Sequence, residues 1–164
     1  MTEPSARSSL SLGLVLTVRL GESLHAIPIS AVEEVLPALP IEWLPNCPAF
    51  VRGVVFVRGH LIPVIDAAER FGMKRDSRPY ERHLVCLRVD GRLIALEFDE
   101  ALDLVDLGDA ELLTLDVAGI RSSFFAGVVQ RDSVVIRILD PAKLLASAES
   151  GELERVPQSP APGP

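Results

Sequence analysis

The sequence predicts a mainly β protein made of two related halves, each closing into a small antiparallel barrel of about five strands. Three observations carry that prediction. Short apolar runs bounded by tight-turn residues recur along the chain, giving roughly nine or ten strands against two or three short helices. Asp90-Gly91 stands between the alternating apolar runs 84–89 and 92–98, the strongest short-range signature of a hairpin. Finally, residues 53–66 (GVVFVRGHLIPVID) recur 74 positions later as residues 127–140 (GVVQRDSVVIRILD), with the aspartate 13 positions after the glycine in both copies. A glycine, a polar turn, an apolar strand and an aspartate matching at one offset point to a duplicated unit.

Each element follows from its own residues. The stretch 1–11 is polar and small, and is expected to be disordered. In Leu14–Leu20 the leucines and Val18 share one face while Thr17 and Arg19 share the other, the alternation of a half-buried strand. Gly21-Glu22-Ser23 turns the chain into a returning strand, 24–27, and Pro28 ends it by removing a backbone donor. Ser30-Ala31-Val32-Glu33 fits the capping box of a very short helix. Four prolines within 36–48 exclude a helix and leave an extended segment pinned by Ile41, Trp43 and Leu44.

Residues 54–57 and 61–65 flank Arg58-Gly59-His60 as a second hairpin. Asp66 then caps a short helix, Ala67–Phe71, which Gly72 ends. The polar stretch 74–82 is the expected boundary between the halves. After the Asp-Gly hairpin, 101–105 reads as a strand and 108–123 as a loop with apolar anchors. The second copy of the central hairpin follows, and Asp140-Pro141 opens a C-terminal helix over 142–148. The proline-rich tail, 149–164, is expected to be disordered.

Composition narrows the function classes. The net charge of −7 argues against nucleic acid as a partner, and an aromatic content of 5% leaves no stacking platform for bases. No apolar run is long enough for a membrane span, and the first residues lack the pattern of a secretory signal. Cys47 and Cys86 read as two separate buried thiols of a cytoplasmic protein rather than a disulfide. Charge is uneven: residues 97–116 hold eight acids and no Lys or Arg, while 74–92 hold six bases and three acids. Such runs read either as ordinary solvated surface or as patches complementary to a partner's field.

No catalytic constellation stands out. There is no phosphate loop and no nucleophile elbow. His25, His60 and His83 lack metal-ligand spacing, and the acids of 97–116 lack the regular alternation and glycine of a calcium loop. Asp66 and Asp140 occupy matching places, where helix capping accounts for both. What remains is Arg58, presented on a rigid hairpin tip and suited to meeting a partner's carboxylate. The residues describe a β-rich binding module.

A family resemblance adds to this. The run Ala31-Val32-Glu33-Glu34-Val35, then Ile41-x-x-Leu44-Pro45-Asn46-x-Pro48-x-Phe50-Val51-x-Gly53-Val54, then Val57-Arg58-Gly59-x-Leu61-Ile62-Pro63-Val64-Ile65-Asp66 and Phe71-Gly72 resembles the CheW-like domain of chemotaxis coupling proteins. The likeness extends over about residues 14–148, so that 12–148 is taken as the domain. It implies two five-stranded SH3-like barrel subdomains around a shared apolar core. It also implies a non-enzymatic adaptor without cofactor or metal, which joins the tip of a methyl-accepting chemoreceptor to the regulatory CheW-like domain of a chemotaxis histidine kinase. Such an adaptor is cytoplasmic and is recruited to membrane-associated receptor arrays without inserting into the membrane. An alternative within the family is a divergent adaptor that binds one partner only or serves a non-motility pathway. Carried over by position, the receptor-binding residues are Val32, Glu34, Gly53, Arg58 and Gly59, with Leu104 from the second half. Phe56 stands where the family usually carries asparagine, and Ala95 where glycine is usual.

Overall fold

A computed structural model of the protein describes residues 7–9, 11–75, 77–113 and 124–144. Its strands are β1 (Arg7–Ser9), β2 (Leu14–Leu20), β3 (Ser23–Pro28), β4 (Val32–Pro37), β5 (Val51–Val57), β6 (His60–Asp66), β7 (His83–Val89), β8 (Arg92–Phe98), β9 (Glu100–Asp106), β10 (Glu111–Leu113), β11 (Phe125–Arg131) and β12 (Val134–Leu139), with one helix, α1 (Ala67–Phe71). They form two sheets. One has five strands in the order β4-β7-β8-β6-β5, and the other has seven in the order β1-β10-β11-β12-β3-β2-β9. The predicted mainly β class holds.

The predicted boundary does not. β6 pairs in parallel with β8 across residues 74–82, with Val64 beside Ala95, so that stretch lies within one unit. The second unit is completed from the start of the chain: β3 pairs in parallel with β12, with Ala26 beside Ile138. The duplication is therefore real in space but permuted in sequence. Hairpin β11–β12 corresponds to β5–β6, and the N-terminal hairpin β2–β3 takes the place that β7–β8 holds in the first unit.

The cores follow the same symmetry. Val55, Ile62 and Val64 lie in the first unit's own core, and Val129, Ile136 and Ile138, at the 74-residue offset, lie in the second's. A third and larger core joins the units. Leu16, Val18, Leu20 and Ile27 from one sheet meet Val85, Leu87, Ile94, Leu96 and Phe98 from the other. Alternation along each strand sends one face to its own unit and the other to the shared core. Arg70 of α1 lies over both Phe50 (4.6 Å) and Phe124 (4.3 Å), a repeat-related pair of rings.

Four local expectations change. Ser30–Glu33 forms no capping box: a 3-10 turn, Ile29–Ala31, starts after Pro28 without a side-chain cap, and Val32 and Glu33 already belong to β4. Extension of Val32–Pro37 lets that stretch pair with β7, which a single helical turn cannot match in hydrogen bonds. Glu111–Leu113, expected as loop, pairs between β1 and β11. Arg7–Ser9, expected to be disordered, pairs with β10 because that short strand leaves an edge to fill. In place of the predicted C-terminal helix, the described residues carry a 3-10 turn, Pro141–Lys143, capped by Asp140. The rest of that helix and the tail lie outside the described residues.

Candidate functional site

Three of the six candidate binding residues, Gly53, Arg58 and Gly59, are placed by the β5–β6 hairpin. Its turn is two residues long, Arg58 (φ 49°) and Gly59 (φ 79°), and His60 opens the next strand. Two left-handed residues in succession make the turn whose twist matches the flanking strands. Glycine adopts that geometry freely, whereas arginine does so at some strain. The result is a guanidinium held at a fixed tip, with 78% of its side chain exposed.

Arg58 Nη2 lies 3.1 Å from Glu34 Oε2 on β4. Such an exposed pair adds about 0–1 kcal/mol to stability, so its main effect is to orient the two side chains. Both line a depression of about 200 Å³ shared with His60, Ile62 and Cys86. Burial pushes the Cys86 thiol up to about 11, with the nearby Glu34 carboxylate adding to the effect. Cys86 is thus an uncharged floor. Beside it, Arg88 Nε donates to Glu33 Oε1 at 2.8 Å.

The other four predicted residues fall elsewhere or act differently. Gly59 supplies the turn. A bulge between Val32 and Glu34 turns Val32 toward the shared core. Leu104 is 61% exposed on edge strand β9, opposite Leu16, whose side chain also belongs to the shared core. Val32 and Leu104 therefore rim the space between the units, while Glu34 and Arg58 rim the mouth of the first unit. Gly53 offers no surface because it is buried. A Cβ there would lie 2.0 Å from the carbonyl oxygen of Glu42, since Glu42 and Val54 exchange backbone hydrogen bonds of 2.8 and 2.9 Å. Gly53 admits the proline-rich segment to β5, as Gly127 admits β10, where a Cβ would meet the Leu113 carbonyl oxygen at 2.6 Å.

His25, His83 and both aspartates weighed for chemistry have structural neighbours that account for them. His25 is buried between the rings of Phe71 (5.8 Å) and Phe125 (5.4 Å). His83 Nδ1 accepts from the Ala101 backbone N–H at 3.0 Å. Asp66 accepts from the Glu69 N–H at 3.2 Å and Asp140 from the Ala142 N–H at 3.0 Å, each capping its own turn. No metal-holding group of His, Cys, Asp or Glu occurs among the described residues.

The two charge runs partly meet each other inside the chain. Arg82 Nη1 donates to Glu97 Oε1 at 3.2 Å. Arg75 pairs with Asp66 and lies 3.4 Å from Asp99. Asp99 also accepts from the Gly21 N–H at 2.6 Å, tying the network to the second unit. The complementary runs in the sequence were the signal for this network.

The chain matches known proteins along most of its length. The family model described as CheW-like domain covers residues 14–149. A chemotaxis protein CheW from Rhizobium meliloti is 29% identical over 138 residues, spanning 82% of this chain and 88% of the relative. Protein FrzA from Myxococcus xanthus is 31% identical over 141 residues, spanning 84% and 88%. The crystal structure of scaffolding protein TtCheW from Thermoanaerobacter tengcongensis superposes with a TM-score of 0.76 at 23% identity, covering 91% of this chain and 92% of that one, a likeness of fold.

Proposed function

The chain belongs to the CheW-like domain family, and from that premise we propose that it is a non-enzymatic adaptor in a chemotaxis-type signalling array. It joins the cytoplasmic tip of a methyl-accepting chemoreceptor to the regulatory CheW-like domain of a histidine autokinase. The observation that carries this reading is the Arg58 tip, rigid, exposed and steered by Glu34. A guanidinium so placed meets a carboxylate or carbonyl on a receptor helix without first losing much side-chain freedom. Val32 and Leu104 supply apolar contact to a helical hairpin lying between the units. No helix among the described residues is long and apolar enough to cross a membrane, and the adaptor reaches the array by binding.

Phe56, 55% exposed two positions before Arg58, favours a second reading. An aromatic ring beside the tip suits a divergent receptor or a single-partner adaptor better than the polar residue usual there.

Capture of partners from the cell's own lysate tests both readings. A receptor and a kinase are both expected with the wild-type chain. Arg58→Ala is expected to weaken receptor binding by about 1–3 kcal/mol, the range for a hydrogen bond to a charged group, while kinase binding and thermal stability stay as they were. Unchanged receptor affinity would remove Arg58 from the interface. Capture of one partner alone would select the second reading.

A further inference from the structure

Next to the buried ion network lies a hole of about 180 Å³. Leu39 and Ile41 of the proline-rich segment and Leu84 of β7 give it apolar walls, and Arg52, Arg82 and Glu97 give it charge. Among the lining side chains the cations outnumber the anions, although the wider network of Arg52, Arg75 and Arg82 with Glu97, Asp66 and Asp99 is three against three. Glu97 Oε1 alone faces Arg82 Nη1 at 3.2 Å, Arg52 Nη1 at 3.5 Å and Arg75 Nη2 at 3.6 Å. Arg75 has Asp66 and Asp99 as well. Arg52 and Arg82 share the single carboxylate, so the lining carries one excess positive charge within a chain of net charge −7.

Donors are in excess too. Arg52 has its ion pair with Glu97 but makes no hydrogen bond among the described residues, although a guanidinium carries five N–H groups. Behind it, Arg82 Nε is buried without an acceptor. Burial first and the nearby Arg75 second make protonation of Arg82 harder than usual, with Glu97 and Asp66 opposing the effect.

The sister unit lacks the charges of Arg52 and Glu97. At the 74-residue offset Arg52 corresponds to Ala126. Ala95 and Ala26 occupy matching positions in the two parallel pairs, beside Val64 and Ile138, so Glu97 corresponds to Pro28. The sister unit makes the same strand arrangement with alanine and proline where the first has arginine and glutamate.

We propose that this hole is a carboxylate-binding site. Its ligand is a monocarboxylate on a short aliphatic stem, with the carboxylate on the Arg52 fork and the stem against Leu39, Ile41 and Leu84. One excess charge suits a monoanion better than a dianionic phosphate, and the small volume admits a glutamate-sized group. The source is either a free short-chain acid or an acidic side chain on a partner's loop. None of the lining residues belongs to the proposed receptor surface.

Amide and guanidinium N–H spectra of the full-length protein test this, titrated with butyrate and with a capped tripeptide carrying a central glutamate. Butyramide and the matching glutamine peptide serve as neutral controls. Saturable shifts of the Arg52 and Arg82 Nε–H signals are expected with carboxylates and not with amides. Arg52→Gln should weaken that binding at least tenfold. Ala38→Met, which fills the hole without touching a charge, should abolish it while the remaining spectrum stays folded. Binding of the peptide alone assigns the site to a partner side chain, and equal binding of butyrate assigns it to a free acid. The proposal is overturned by the absence of a saturable response to any carboxylate, by an equal response to the amides, or by undiminished binding in Ala38→Met.

Discussion

His25 shows what one residue can cost. It lies buried between Phe71 and Phe125, and neither ring nitrogen has a hydrogen-bond partner among the described residues. Burial first and the charge of Arg137 second bring its pKa down from 6.5 to about 4. The folded state therefore holds the ring neutral, while the unfolded state takes up a proton below pH 6.5. Stability from this site is complete above about 6.5 and declines as pH falls toward 4, with roughly 3 kcal/mol at stake. Urea midpoints measured from pH 7 to pH 4 should fall in the wild type and fall less in His25→Phe, which keeps the stacking without the titration. Gly53 argues a different point. Replacing it with alanine drives a Cβ into the Glu42 carbonyl, so Gly53→Ala should cost at least about 2 kcal/mol in chemical denaturation. The repeated Gly-Val-Val marks Gly53 in the sequence but gives it no role. Its contact, Glu42, lies within the proline-rich segment, and extended chains without periodicity do not announce which strand they touch.

At the scale of elements, the hairpins were the most legible part of the chain. Arg58-Gly59, Asp90-Gly91 and the alternation of β2 each carry local information that tertiary packing does not override. The short pieces were not legible, since three-residue strands such as β1 and β10 are too brief to show a period of two. Ser30–Glu33 misled because its capping pattern was local while the decisive interaction, pairing with β7, was not. The repeat makes a sharper prediction. Val64 and Ile138 occupy equivalent strand positions in separate cores, each essentially without exposure. Val64→Ala and Ile138→Ala should each cost about 2–4 kcal/mol by leaving a cavity. Because they share no core, their effects should add in the double variant within about 0.5 kcal/mol. Denaturant midpoints near wild type would contradict the inward register of β6 or β12.

Across the whole molecule, two related units were foreseeable from the 74-residue offset, but their division was not. A sequence repeat shows which segments resemble each other and says nothing about which of them pair. Here the arrangement is permuted, so that β2 and β3 serve a sheet whose other members, apart from β1, follow the whole first unit in the chain. The candidate site divides along the same line. Arg58 and Glu34 come from one contiguous unit and could be placed from the sequence, whereas Val32 and Leu104 depend on how the sheets meet. This permutation sets a schedule. The β2–β3 hairpin, made before the first unit, carries Leu16, Val18, Leu20 and Ile27, all destined for the shared core, yet its parallel neighbour β12 is the last of the described strands in chain order. The unit from β4 to β8 is complete long before, and its contacts are closer in sequence. Pulse-labelled hydrogen exchange during refolding should therefore protect β5 to β8 ahead of the β3–β12 pair. Strands made before the first unit would be secured after it, and while β4 to β11 are being made the chain would carry an unfinished sheet edge of the kind that chaperones shield.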